Sequence, residues 1–326
     1  MKAILLNNRG VALIITILMI SIIVVLTLEF NSSMRDEYKS AVNSRDNIML
    51  GYIAKSGYNL ALAVLREDDP GSDSLNENWA LLNEDSSFLD FSEGLFIDSG
   101  RFRVDIKDLS GKIQINELVK QDGTYNEEQK GILIRLLTSS VFNLKEEDAD
   151  DILDNIKDWI DSDDEPTGLG WENSSYQSLE NPYECANRKL RSFYEMTQIN
   201  KVTKELVFGT PGLKDYLTLY GDGSGRININ TVDRDILKVL SDDIDEQMVD
   251  EILQYREDED NDLGSVLWYK EALDTNEDVI NPLLLTNKSS YFVILSTGSR
   301  DAAKKKLKAV VKRTGSNFEI LSYEII

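Results

Sequence analysis

The chain has 326 residues, enough for one large domain or two medium ones with true hydrophobic cores. It carries 58 acidic against 35 basic side chains, a formal net charge of −23, and so acidic a surface repels phosphate backbones and argues against nucleic-acid partners. Histidine is absent and Cys185 is the single cysteine, which removes histidine-based triads, most zinc sites and any intrachain disulfide, while divalent cations remain well suited.

The chain opens with a short basic leader (Lys2, Arg9) and passes at Gly10 into an apolar run from Val11 to Leu28. Eighteen residues of helix span about 27 Å, just enough to cross a bilayer core with little tilt. Three readings are open: a cleaved secretory signal, a plain membrane anchor, or cleavage after Gly10 that leaves the membrane helix on the mature chain. LEFNSSMRDEY (28–38) offers no Ala-x-Ala site for the first. A basic leader is retained on the cytoplasmic side, which puts the remainder outside. Beyond the apolar run, Leu50, Ile53, Ala54, Gly57, Leu60, Ala61, Val64 and Leu65 recur at intervals of three and four. One helix is therefore expected over about 11–66, apolar all round at first and amphipathic later, and Asp68-Asp69-Pro70-Gly71 ends it.

Strand signals follow within 94–116, where Phe102, Val104 and Ile106, then Ile113 and Ile115, alternate with polar residues. From about 117 to 285 the pattern is mainly helical and rich in acid. YFVILSTGSR (291–300), LKAVVKRTG (307–315) and FEILSYEI (318–325) return to strands and read as an antiparallel meander. GKIQINEL (111–118) is echoed by GRININTV (225–232), and ADDILDNIKDWIDSDD (149–164) by MVDEILQYREDEDND (248–262), so two related helical units are expected in the middle block. GTPG (209–212) reads as a structural hairpin. GDGSG (221–225) lacks a following Lys-Ser/Thr and reads as a turn, not a phosphate loop.

An Arg-Gly step before an unbroken apolar helix looks like the cleavage site of type IV pilins and pseudopilins. With RGVAL, DWIDSDDEP (158–166), NPYECANRKLRS (181–192) and GRININT (225–231) in that order, the chain resembles the K-type minor pseudopilins of type II secretion from the leader to the last strands. The resemblance implies cutting by a prepilin peptidase between Gly10 and Val11, with Val11 as the new, methylated terminus. It also implies an α+β fold: a pilin-like long N-terminal helix packed on an antiparallel sheet, with a large all-α insertion. In ordinary pilins the fifth mature residue is a membrane-buried glutamate, read in the family as a tether to the neighbouring subunit's amine. Here that position is Ile15, which buries no charge and lacks the tether. A subunit without it is tolerable where nothing lies above it, at the tip.

DSDDEPTGLGWE (161–172) places carboxylates at Asp161, Asp163, Glu165 and Glu172, near the spacing of a calcium loop, but its sixth position is Pro166 where an EF-hand needs glycine. Together with Asp164 these acids repel one another unless a cation sits among them. The resemblance adds that K-type pseudopilins bind calcium in the helical insertion. The expected ligands are Asp161, Asp163, Asp164 and Glu165, with Glu172 closing the loop; Trp159 and Trp171 flank it. Asp258, Asp260 and Asp262 form a second possible metal loop, with a solvated acidic loop as the plainer reading.

The expected division is a leader over 1–10, a transmembrane part over 11–30, pilin-like helix and first strands over 31–116, an inserted helical domain over 117–285, and C-terminal strands over 286–326. No carboxylate pair is singled out as a glycosidase dyad, and the chain reads as a non-enzyme. The function implied is the tip of the pseudopilus in the inner membrane with the C-terminal domain in the periplasm. Its implied partners are the I- and J-type minor pseudopilins and the prepilin peptidase. A membrane-anchored calcium-binding interaction protein and a type IV pilus tip component are the alternatives.

Overall fold

The computed structural model of the chain describes residues 9–82 and 100–326. Residues 1–8 of the leader, and the strand signal over 94–99, lie outside them. Helix α1 (Arg9–Glu67) is one continuous element of 59 residues, about 90 Å long. Its first part is apolar on every face and wholly uncovered, with a mean hydropathy of 3.1 over its best window, long and apolar enough to cross a membrane. Its last part changes character. Leu50, Ile53, Ala54, Tyr58, Ala61 and Leu65, at helical spacing, are buried on one side, and the larger of them each contribute on the order of 1.5–3 kcal/mol of burial.

The stripe is covered by a four-stranded antiparallel sheet of β1 (Arg101–Asp108), β6 (Tyr291–Arg300), β7 (Ala303–Thr314) and β8 (Asn317–Ile325), in the order β1-β6-β7-β8. Alternation selects its inner face: Phe102, Val104 and Ile106, then Phe292 and Ile294, then Leu307, Ala309 and Val311. Gly57 lets helix and sheet approach. A Cβ there would lie 2.3 Å from Ser296 Oγ and 2.7 Å from Phe102.

Between Asp108 and Tyr291 lies the helical insertion. In chain order, after the single turn α2 (Asn78–Leu81), it holds β2 (Ile113–Gln114), α3 (Glu127–Thr138), α4 (Glu146–Ile160), α5 (Asn173–Gln177), α6 (Phe193–Met196), α7 (Lys204–Phe208) and α8 (Leu213–Tyr216). It continues through β3 (Leu217–Thr218), β4 (Ile227–Asn228), α9 (Arg234–Val239), α10 (Glu246–Glu257), α11 (Tyr269–Ala272) and β5 (Leu285–Thr286). The architecture is the α+β one expected: a long N-terminal helix on an antiparallel sheet with a helical insertion. GTPG joins α7 to α8, and GDGSG is the loop between β3 and β4. The two echoed stretches adopt the same order of elements. β2 pairs in parallel with β3 and β4 in parallel with β5, and β2 and β4 each lead into two longer helices, α3 and α4 or α9 and α10. One detail differs from the alternation over 113–116. Only Ile113 and Gln114 are extended, and Ile115–Glu117 turn into a 3-10 helix. Asp108 causes the break upstream, where its carboxylate accepts the Ser110 and Gly111 amides and turns the chain out of the main sheet.

The insertion has its own core, distinct from that under the sheet. The two meet at a buried joint. Arg313 of β7 donates to Asp68 at 2.8 Å and to Asp73. Asp73 also accepts the Ser289 amide, and its carbonyl accepts from Asn228 of the insertion. The joint lies at the C-terminal end of α1, whereas Arg300, at the other end of β6, reaches Asp46. The insertion therefore attaches at the end of the sheet away from the apolar segment.

Candidate metal centre

Helix α4 buries Ile152, Leu153, Ile156, Trp159 and Ile160 against the insertion core. Its last turn carries Asp158, and Asp161 caps it, so two carboxylates stand at the carbonyl end of the helix, where the backbone dipole is negative and favours a cation. The loop 162–171 then doubles back. Glu172 caps α5, accepting the Asn173 amide, and brings its carboxylate to the same place. One oxygen each from Asp158, Asp161 and Glu172 lies within 4.8 Å of the others, and all three side chains are buried. Gly170 permits the crossing, since a Cβ there would fall 2.0 Å from Asp158 Oδ2. Trp159 and Trp171 both pack edge-on against Tyr176 beside the loop, at 5.3 and 5.6 Å.

Three buried carboxylates face one neighbouring cation. Lys157 donates to Asp161 and to Thr167 and stands 3.9 Å from Asp158. The Thr167 amide donates to Asp158. Asp161 Oδ1 and Glu172 Oε1 have no hydrogen-bond partner among the described residues. Burial pushes Asp158 up to about 6 and Glu172 up to about 7, the latter raised further by Asp158 and Asp161; Asp161 is raised by burial as well. One ammonium against three carboxylates leaves an excess of negative charge in a poorly hydrated place, a costly state unless the charge is matched or protonated. The all-oxygen donor set, with two oxygens unclaimed, fits a hard divalent cation and not a thiophilic one. Cys185 does not compete: its thiol donates to the Asp158 carbonyl, and burial pushes it up to about 12.

Of the residues anticipated from spacing, Asp161 and Glu172 meet in this cluster. Asp163, Asp164 and Glu165 are exposed on the loop beside it. Asp163 accepts the Glu165 amide, and Asp164 accepts from Asn187; the charges of Asp163 and Asp164 still raise Asp161 and Glu172 respectively. Asp158 was not singled out by that spacing. The available signal was its place three residues before Asp161 on the same helical face. Asp258, Asp260 and Asp262 are exposed. Asp258 accepts the Asp260 amide and Asp262 the Gly264 amide, so two of the three close local turns, and they do not gather. Asp68, Asp73 and Glu77 also lie close together, but Arg313 bonds the first two and the Trp79 indole donates to the third. Gly10, Val11 and Ile15 lie on the uncovered stretch of α1, with nothing within 4 Å of a Cβ built on Gly10.

Residues 111–220, which carry this centre, match the family model described as type II secretion system protein K. The chain is similar to the type II secretion K proteins. Two of the recognised stretches, DWIDSDDEP and NPYECANRKLRS, fall inside the matched region, and GRININT lies just beyond it. Protein K of Aeromonas hydrophila is 25% identical over 236 residues, covering 69% of this chain and 68% of that protein. Protein K of Pseudomonas aeruginosa is 28% identical over 200 residues, covering 58% of this chain and 56% of that one. In three dimensions the chain is similar to one in the crystal structure of the GspK-GspI-GspJ complex of the enterotoxigenic Escherichia coli type 2 secretion system. The TM-score is 0.68 at 20% identity, covering 87% of this chain and 98% of the other, and this supports the fold. The resemblance to the K-type minor pseudopilins thus stands.

Proposed function

We propose that this K-type chain stands at the tip of the type II secretion pseudopilus, where it initiates assembly and limits growth. In this reading α1 is held in the inner membrane after cleavage between Gly10 and Val11, and the sheet and insertion project into the periplasm. The observation that carries the reading is the placement of the insertion at the end of the sheet away from the apolar segment. Bulk at that end obstructs stacking of another subunit above, and Ile15 offers no charge to tether one. The partners are I- and J-type minor pseudopilins, as the similar complex suggests. The role is assembly and not catalysis.

The insertion holds calcium through Asp158, Asp161 and Glu172, with Asp163, Asp164 and Glu165 at the rim. Calcium would neutralise the excess charge and fasten the 162–171 loop to α4 in a chain that has no disulfide. The tip reading is tested by counting and measuring pseudopili in a host whose own K-type gene is replaced by this one. Loss of the chain should reduce pseudopilus number and excess chain should shorten pseudopili; unchanged number and length in both cases would sink it.

A further inference from the structure

The face of the sheet turned away from α1 has a charge opposite to that of the molecule. Residues directly opposite one another in an antiparallel pair share a face. The register Arg103–Thr297–Lys306 and Asp105–Leu295–Lys308, together with Ser299–Lys304, therefore places Lys304, Lys306 and Lys308 of β7 in one row on the outer face. All three are exposed, as is Lys107 on β1; Glu324 of β8 stands opposite Lys308, but no ion pair is found for any of these four lysines among the described residues. Tyr220 of the insertion covers the end of this face nearest the joint, packing on Leu109, Tyr291 and Val310.

From this we infer that the outer sheet face, centred on Lys304, Lys306 and Lys308, docks a carboxylate-rich face of another protein of the assembly. In a chain of net charge −23 this row of like charge is set against the prevailing sign, and opposite charge on a partner is what such a row recognises. Anionic lipid is the rival occupant, and distance disfavours it. Lys305 bonds Asn47 of α1, which fixes the near end of the row at that level. Asn47 lies about 28 Å along the helix from Leu28, where the apolar run stops. That is more than three times the screening length of about 8 Å at physiological salt. The inference rests on the chain acting as a subunit of an assembly with I- and J-type partners.

The test uses the full chain in detergent, co-expressed with the I- and J-type subunits of its own secretion system. A carbodiimide, which joins amines to carboxylates without a spacer, is followed by mass mapping. Cross-links from Lys304, Lys306 or Lys308 to acidic residues of a partner are expected. The triple change to Glu should weaken retention of that partner roughly tenfold or more at physiological salt, and the triple change to Gln should weaken it less. Retention unchanged in both variants, with no such cross-links, overturns the docking face and leaves the assembly reading intact. Failure of the unaltered chain to retain either partner overturns both. In lipid nanodiscs of the chain alone, the three lysines should acetylate equally fast in phosphatidylcholine with and without phosphatidylglycerol; protection by the anionic lipid would assign the face to the membrane and overturn the inference.

Discussion

Asp161 and Glu172, at opposite ends of an acidic loop, meet in the interior with one carboxylate oxygen each left without a hydrogen-bond partner among the described residues. Two such orphans beside Asp158 make the loop a spring held shut against its own charge. The Lys157 ammonium relieves only part of that charge.

Calcium should raise the melting temperature of the full chain, and the rise should vanish in the double variant Asp161→Asn, Glu172→Gln. For a chain of this size a contribution of about 1–2 kcal/mol corresponds to roughly 1.5–3 °C. Calorimetry with calcium and with chelator reads it; an equal rise in the double variant would remove these two carboxylates from the ligand set.

The same carboxylates set a pH dependence. Burial holds Asp158 at about 6 and Glu172 at about 7, above their ordinary values near 4. The folded state then binds their protons more tightly than the unfolded chain does. Their contribution in chelator is therefore most favourable below pH 4 and falls as pH rises through 6 and 7. Melting in chelator should decline across that window, Glu172→Gln should flatten the decline, and saturating calcium should abolish it.

Arg313 is the buried guanidinium at the joint between sheet and insertion, bonded to Asp68 and Asp73. Arg313→Met leaves Asp73 buried without its counter-charge and should cost about 3–5 kcal/mol. Denaturant melts measure the loss, and a cost below about 1 kcal/mol would mean that the joint contributes little.

Gly57 sits where α1 presses on β6 and β1. Gly57→Leu should destabilise the head by roughly 2–3 kcal/mol through overpacking. Gly10→Val makes the opposite case. No described residue lies within 4 Å of a Cβ built on Gly10, so stability should not change; intact mass in the presence of prepilin peptidase should show residues 1–10 lost from the unaltered chain and retained in the variant. Cleavage of the variant at the unaltered rate would show that Gly10 does not direct processing.

Much of this was legible from residue pattern. The change in α1 from apolar all round to a single buried stripe follows from Leu50, Ile53, Ala54 and Leu65, and the C-terminal strands follow from alternation. What was illegible is what only tertiary contact decides. Ile115 alternates like a strand residue, yet it opens a 3-10 helix directly after the two-residue strand β2. Ligand spacing along the loop does not reach Asp158, because the loop folds back onto the end of the helix that carries it. Asp258, Asp260 and Asp262 share the spacing of the first acidic loop, but nothing returns across them to close a site.

β1 and β6 are neighbours in the sheet, but the whole insertion separates them in the chain. A chain emerging from its N-terminus presents the apolar stripe of α1 and the inner side of β1 long before Tyr291 to Ile325 exist to cover them. The insertion, which has a core of its own, can fold in that interval, whereas the sheet on α1 must wait for the last strands. Loss of the final strands would therefore leave a folded insertion on an open, adhesive stem, and closure of the head is the last event in the making of the molecule.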